Sequence, residues 1–505
     1  MTNYQLFAIR FQLFRSKTIY NLKMFRLIFI AIFFTSIISL SAQTLPKIER
    51  EFRAVWIATV DNIDFPTKKT LTIEQQKDEI IKDLELAKSL KMNAVIFQVR
   101  PMCDALYESK IEPWSEFLTG QMGKSQAFDP LKFITEEAHN RGILVHAWFN
   151  PYRAYHPAAK TVSENHISKR RPDLVRKYGK YLWLDPSDAE VQAYSLSVVL
   201  DVVKRYDIDG VHFDDYFYPY PEKDESGEKI EFPDDENYRK YVQTAMKMSR
   251  GGKKRIPLRR DSWRRMHVNN FINSVGSEIK KIKPEIMYGI SPFGVSEVNK
   301  TELYADAEHW LEQGTVDYLV PQLYWKIDRK DREFPLLLKF WETKNPKKRH
   351  VWAGIGTYKL YNSNENFSAA EIINQIALTR EIQQTSGNIQ FSFKSLRNNS
   401  DEIQKALREK VYSKDAIIPP SVWIKSTKPL APTVKISRDE KLVRANWTEN
   451  GAKKAFWFVV YVKDKNGWNY SVLPASQKSI SLSAERNIER IIVSSVDRLG
   501  NESKF

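Results

Sequence analysis

The sequence predicts a (β/α)8 TIM-type barrel followed by a small all-β sandwich of fibronectin type III or immunoglobulin kind. Three observations carry this reading. Between residues 52 and 395, eight short apolar runs alternate with amphipathic stretches, the pattern of parallel strands covered on both faces by helices. After Pro419-Pro420, Pro429 and Pro432 the apolar period switches to two, as in antiparallel strands with one buried face. Ahead of both, a basic start leads into an apolar run. The chain thus divides into a leader (1–42), a barrel domain (43–411), a Pro-rich linker (412–432) and a sandwich (433–505).

The leader reads as a secretory signal peptide. Lys23-Met24-Phe25-Arg26 precede an apolar run from Leu27 to Leu40, closed by the small residues Ser39, Ser41 and Ala42. That order of basic, apolar and small residues is what the export machinery and its peptidase read. Met24 is the expected true start, and cleavage is expected near Ser41 or Ala42. The run is short for a spanning helix. The protein is therefore expected to cross the inner membrane into the periplasm or cell envelope, touching the membrane only through this leader.

The barrel strands are expected in the runs 52–60, 92–100, 143–150, 208–215, 286–293, 316–325, 350–358 and 389–395. Amphipathic stretches at 74–90, 129–141, 188–205, 264–283, 303–313 and 369–386 carry apolar residues at spacings of three and four, as helices do. Asp129-Pro130 and Asp185-Pro186 read as helix starts, with proline early in the first turn. A doubly wound open sheet is the alternative, but no GxGxxG or phosphate-binding loop follows any strand. In the sandwich, Asn450-Gly451, Asn466-Gly467 and Leu499-Gly500-Asn501 separate the strands as turns.

Composition narrows the function classes. The 505 residues are 42% hydrophobic and 28% charged, which excludes a disordered, collagen-like or coiled-coil chain. A single cysteine, Cys103, excludes an internal disulfide framework and any multi-cysteine metal site. The net charge of +16 points at first towards nucleic acid. Its distribution points away: the leader holds five basic residues and no acid, and residues 250–265 hold eight against Asp261. One local cluster is a solvated loop or helix face, not a stripe tracking phosphates. Thirteen Trp and 23 Tyr fill a core or line a sugar-binding cleft.

In barrels the chemistry sits at the carboxyl ends of the strands. Polar and aromatic residues crowd those positions here: Gln98, Arg100 and Asp104 in the second unit, His146, Trp148, Asn150 and Arg153 in the third, His212, Asp214, Asp215 and Tyr216 in the fourth, Gln322, Tyr324 and Trp325 in the sixth. Asp214-Asp215 in HFDDYFYPYP is the sharpest signal, because adjacent carboxylates at the end of an apolar strand are costly to bury unless paired or used. Neighbouring residues on a strand face opposite sides, so His212 and Asp214 are expected to face the barrel and Asp215 to begin the loop. Glycoside hydrolysis uses two carboxyl groups across the bond. The second is then expected from another strand end, with Asp61, Asp104, Glu297 and Asp328 as candidates. His146 and His212 with Asp214 could instead hold a metal, yet no HExxH spacing occurs, and no GxSxG elbow supports a serine hydrolase. No metal and no cofactor are expected.

EFRAVWIATV, MNAVIFQVRP, DALYESKIEPWSEFLTG, FDPLKFITEEAHNRGILVHAWFNPYR, DGVHFDDYFYPYP, YGISPFG and DYLVPQLYW, in that order, resemble the glycosyl hydrolase-like 10 family over residues 50–410. The resemblance implies a TIM-type barrel in a bacterial envelope protein acting on peptidoglycan glycan strands stripped of stem peptides, with cell-division or other envelope proteins as partners. The motif residues it carries over are Arg100, Asp104, His146, Asn150, Arg153, Asp214, Asp215 and Gln322. The chain departs from the family at Cys103, where glycine is usual, at Met266-His267 and at Ser296-Glu297.

Together these readings give an envelope glycoside hydrolase. Asp214 or Asp215 is the expected general acid. Arg100, Asp104, His146, Asn150, Arg153, His212 and Gln322 are expected to position the polysaccharide, with Trp148, Tyr216, Tyr324 and Trp325 stacking on it. The rival reading is a non-catalytic glycan-binding or scaffold protein.

Overall fold

The structure, a computed structural model, describes residues 45–248, 256–361, 367–382 and 387–505. The leader and Arg250, Lys253, Lys254 and Arg255 of the basic cluster lie outside the described residues. Among the described residues no helix is long and apolar enough to cross a membrane.

Eight strand positions form a closed parallel barrel. They are β1 (Phe52–Ile57), β2 (Ala94–Arg100), β3 (Leu144–Phe149), β4 (Gly210–Phe213), β5 (Met287–Ile290), β6 (Tyr318–Leu319), β7 (His350–Val351 and Ala353–Ile355) and β8 (Gly387–Gln390). Every neighbouring pair is parallel, and the two halves of β7, split at Trp352, pair with β6 and β8 and so close the ring. All residues of β1, β2 and β3 are buried, as expected of strands lying between helices and a filled interior. The last run ends earlier than its apolar pattern suggests: after Gln390 the chain turns into a short helix, Phe393–Asn398.

The interior is aromatic, and two glycines make room for it. Trp352 lies flat on Phe52, with ring centroids 3.7 Å apart. A Cβ at Gly210 would stand 2.5 Å from the His146 ring, and one at Gly289 would stand 2.1 Å from the Tyr318 ring.

The helices start where their caps dictate. Thr72 and Gln75 form a reciprocal capping box ahead of Ile73–Ser89, and Asp129 caps Pro130–Asn140. Each such cap is worth about 1 kcal/mol. The helix Ala189–Arg205 is capped by Asp188, not begun at Asp185-Pro186. Asp185 instead accepts from the Ser187 backbone and hydroxyl in a turn of its own, because a short carboxylate two residues from an N–H closes a local ring first.

Three of the cluster's eight basic residues prove structural. Arg264 is buried and donates to Asp234 Oδ2 at 2.7 Å, and Arg260 donates to Asp234 and to Asp235. Arg265 donates to the Lys300 carbonyl.

The sandwich consists of β9 (Thr433–Arg438), β10 (Leu442–Thr448), β11 (Trp457–Asp464), β12 (Gly467–Pro474), β13 (Ser479–Ser483) and β14 (Arg490–Val496). Two antiparallel sheets, β9-β10-β13 and β12-β11-β14, bury Trp447, Phe458, Val460 and Val493 between them. It docks under the barrel, at the amino ends of the strands. Trp457 Nε1 donates to the Gly142 carbonyl just before β3, and Arg498 pairs with Asp207 just before β4. The Pro-rich stretch, expected as a linker, runs along the same end. Ala416–Ile417 pair with Glu49–Arg50, and Trp423 Nε1 donates to Asp317 at 2.8 Å. Its apolar Ile417 and Ile418 are buried, which holds it against the barrel.

Candidate active site

At the opposite end, above the carboxyl ends of the strands, lies a cleft of about 280 Å³. Trp56, Trp148, Tyr216, Tyr220, Tyr324, Tyr358 and Phe391 supply its aromatic walls, and Gln98, Arg153, Asp214, Asp215, Ser291 and Gln322 its polar groups. Asp214 and Asp215 follow β4 directly, at 4% and 2% exposure. The turn after Phe213 brings both carboxylates into the same cleft, so Asp215 is not merely a loop residue.

Asp214 is held on three sides. Asn150 Nδ2 and Trp148 Nε1 donate to its Oδ2 at 2.6 and 3.1 Å, and the Tyr216 N–H donates to its Oδ1 at 3.3 Å. The Asn150 amide has one usable orientation, because its Oδ1 accepts from Gln98 Nε2 (2.6 Å) and Arg153 Nη2 (3.0 Å). Gln98 is fixed in turn by the N–H groups of Thr59 and Val60, which donate to its Oε1. A chain of donors thus runs from the end of β1 through β2 and β3 to the carboxylate on β4.

Asp215 leans the other way. Its Oδ2 accepts from the Tyr220 hydroxyl, and Gln322 lies within hydrogen-bond reach. Gln322 Nε2 also donates to the Ser291 carbonyl at 3.0 Å. Burial raises the pKa of both carboxyls. Arg153, Asn150, Tyr216 and Trp148 restrain Asp214, whereas the charge of Asp214 pushes Asp215 further up. Such a pair holds one proton readily and two charges reluctantly. Asp215 is the natural proton carrier and Asp214 the natural anion.

Several expected residues sit elsewhere. Arg100 does not reach the cleft: its guanidinium is buried on Glu112, which accepts at 2.8 Å from Nε, and it donates to the Asn150 carbonyl. A buried cation takes the nearest buried anion, and Glu112 lies only twelve residues on. Asp104 is also buried and accepts from the Met102 N–H at 2.9 Å, shaping the loop after β2. In that loop Cys103 takes φ +54°, a conformation glycine adopts freely.

His146 lies deeper in the barrel. It and His212 both face the Tyr318 hydroxyl, at 2.8 and 3.1 Å from their Nδ1 atoms. Burial depresses both, His146 to about 4, so each is neutral. His212 underlies the floor, 3.2 Å from Trp56 Nε1 and 3.1 Å from the Ser291 hydroxyl. Asn150 acts through Asp214 and does not itself line the cleft. Trp325 packs edge-on to Phe293 beside it. Trp148, Arg153, Tyr216, Gln322 and Tyr324 do line it.

None of the four candidates for a second carboxylate lines the cleft. Asp61, Glu297 and Asp328 are exposed and Asp104 is buried in its loop. Polar and aromatic cleft residues that the sequence reading left out are Trp56, His156, Tyr220, Ser291 and Phe391. Period two along FRAVWIATV could have turned Trp56 inward with Phe52 and Ala54.

A closed parallel barrel with paired, buried carboxylates and aromatic walls at the carboxyl ends of its strands defines a glycosidase-type protein. The chain belongs to the glycosyl hydrolase-like 10 family, whose model matches residues 51–370. It is 36% identical to glycosyl hydrolase YngK of Bacillus subtilis, over 93% of this chain and 95% of that one. It is 34% identical to glycosyl hydrolase DigH of Escherichia coli K12, over 69% of this chain and 84% of that one. Among solved structures it is similar to the glycoside hydrolase domain of PgaB from Bordetella bronchiseptica, with 12% identity and a TM-score of 0.47, over 72% of this chain and 99% of that one.

Proposed function

We propose that the protein hydrolyses O-glycosyl bonds in the glycan strands of peptidoglycan, in the periplasm or cell envelope. The observation that carries the reading is the Asp214–Asp215 pair. Two buried carboxyls, both pushed up by burial but Asp215 pushed further by the charge of Asp214, whose own rise its hydrogen bonds and Arg153 restrain, match what cleavage of a glycosidic bond asks of an active site: a proton for the leaving oxygen and negative charge beside a developing oxocarbenium ion. Aromatic walls suit the apolar faces of sugar rings. The leader supports export, and the resemblance to the family supports denuded strands as substrate and envelope or division proteins as partners.

Purified protein incubated with stem-peptide-free peptidoglycan glycans is expected to release soluble fragments. Asp214→Asn and Asp215→Asn should each slow release by about 10²–10⁴-fold. Release at the wild-type rate by both variants overturns the assignment. Retention on insoluble peptidoglycan without any release favours the rival, a glycan-binding protein.

A further inference from the structure

The carboxylates of the cleft raise a question of geometry. Among the described residues Asp214 and Asp215 are the only ones that line it. Both emerge from the end of β4, and therefore approach a bound sugar from one side. In an eight-stranded ring the position facing β4 is β8. The chain leaving β8 contributes Phe391, and the flanking β1 and β7 units contribute Trp56 and Tyr358. Among the described residues the facing wall is thus aromatic and holds neither a carboxylate nucleophile nor a carboxylate base. A double displacement through the enzyme needs two carboxyl groups about 5–5.5 Å apart across the bond, and an inverting attack needs about 6.5–9.5 Å with water between. Neither arrangement has its second group on the far side among the described residues.

We infer that the nucleophile is the substrate's own 2-acetamido group, so the sugar bound over Asp214 and Asp215 is an N-acetylated 2-amino sugar. This rests on the glycosidase reading above. In the first step the acetamido carbonyl oxygen forms a bond to C1 as the C1–O glycosidic bond breaks. The leaving oxygen takes the proton of Asp215, and the sugar is left as a cyclic oxazolinium ion. The acetamido N–H donates to Asp214, whose Oδ1 accepts the long Tyr216 bond alone among the described residues and retains lone pairs. In the second step water attacks C1 from the side the leaving group left, Asp215 takes its proton, and the ring reopens to the acetamide. The sum is hydrolysis with retained configuration.

The side chains around Asp214 suit this role. Asn150 and Trp148 fix its Oδ2, so the carboxylate presents Oδ1 in one direction. Arg153 favours its charge. The aromatic wall offers an apolar surface to the acetyl methyl.

The test uses the unmodified protein and synthetic stem-peptide-free glycan oligosaccharides. Their acetamido groups are natural, mono-, di- or trifluorinated, or removed to the free amine. Fluorine withdraws electrons from the carbonyl oxygen, so the rate should fall along the series, by tenfold or more at trifluoroacetyl, about 1.4 kcal/mol in the barrier. The free amine should not be cleaved. The first-formed product, followed by proton NMR, should have retained configuration. A flat fluorine series, inverted product or a glycosyl–aspartate adduct, with natural strands still cleaved, overturns this inference and leaves the hydrolase reading standing. No release from natural strands overturns both.

Discussion

Asn150 Nδ2 donates to Asp214 Oδ2 at 2.6 Å, while its own Oδ1 is held by Gln98 and Arg153. One amide thereby connects three strand ends to a single carboxylate oxygen. The Thr59 and Val60 N–H groups, Gln98 and Asn150 form a line of donors in which each link fixes the orientation of the next.

Gln98→Leu, at the cleft wall, should therefore act on Asp214 through Asn150. Asn150 would lose the donor that orients it and would present the wrong edge to Asp214 part of the time. A misplacement of this size costs about 10²-fold in kcat, with KM little changed. Asp214 would also lose part of the hydrogen bonding that favours its charge, so its pKa should rise and the acidic limb of the rate profile move to higher pH. An unshifted limb with a normal kcat would refute the relay.

The paired carboxylates should give kcat/KM a bell-shaped pH dependence. Activity falls at low pH as the second proton enters, and at high pH as the last one leaves. The basic limb reports chiefly Asp215, which Asp214 pushes up. Asp214→Asn removes that charge, so in the residual activity of this variant the basic limb should move to lower pH. Movement in the opposite direction would reverse the assignment of the two residues.

Arg100→Met tests the buried pair. Glu112 would keep the Tyr194 hydroxyl at 2.8 Å but lose its cation. Breaking a buried pair from one side costs about 3–5 kcal/mol, readable by urea denaturation. Adding Glu112→Leu should restore much of the loss, because the stranded anion is then gone. Glycan affinity of the double variant should stay near wild type, since neither side chain lines the cleft.

His139 ties the barrel base to the sandwich region and should make stability pH-dependent. Burial opposes its charge, but Asp209 at 2.8 Å and the nearby Asp207 outweigh it and raise its pKa to about 9 from an ordinary 6.5. A raised folded pKa adds stability in full below pH 6.5 and loses it as the pH climbs through 9. The loss should be about 1–3 kcal/mol, reduced by the exposure of Asp207. Thermal melts from pH 6 to 10 should show the decline, and His139→Gln should flatten it.

Gly289→Ala places a Cβ 2.1 Å from a Tyr318 ring that is stacked on Trp352 at 4.8 Å. With no space to yield, overpacking should cost about 3 kcal/mol or more. A variant melting within 2 °C of wild type would show that the interior can yield.

The architecture was legible in the sequence because strand burial and helix periodicity are local. Apolar runs such as MNAVIFQVR become strands wherever they are covered on both faces, and Asp129 or Thr72 caps the helix that follows it whatever lies beyond. Asp214 and Asp215 were visible for the same reason: two carboxylates after VHF are anomalous in a strand before any partner is known. Partnership was not legible. Arg100, Asp104 and His146 stand at strand positions as suggestive as those of Trp148 and Arg153, yet Glu112, the Met102 N–H and Tyr318 claim them. Which polar group faces the cleft depends on ring closure, since only the closed barrel sets β4 opposite β8 and brings Phe391 and Trp56 to its far wall. The docking of the Pro-rich stretch was hidden likewise, because Trp423 and Asp317 lie 106 residues apart. Sequence thus determined the elements and their polarity, through interactions a few residues long. Tertiary structure decided which buried charges neutralise each other and which are left for chemistry, because desolvation and pairing act between residues that only the fold brings together.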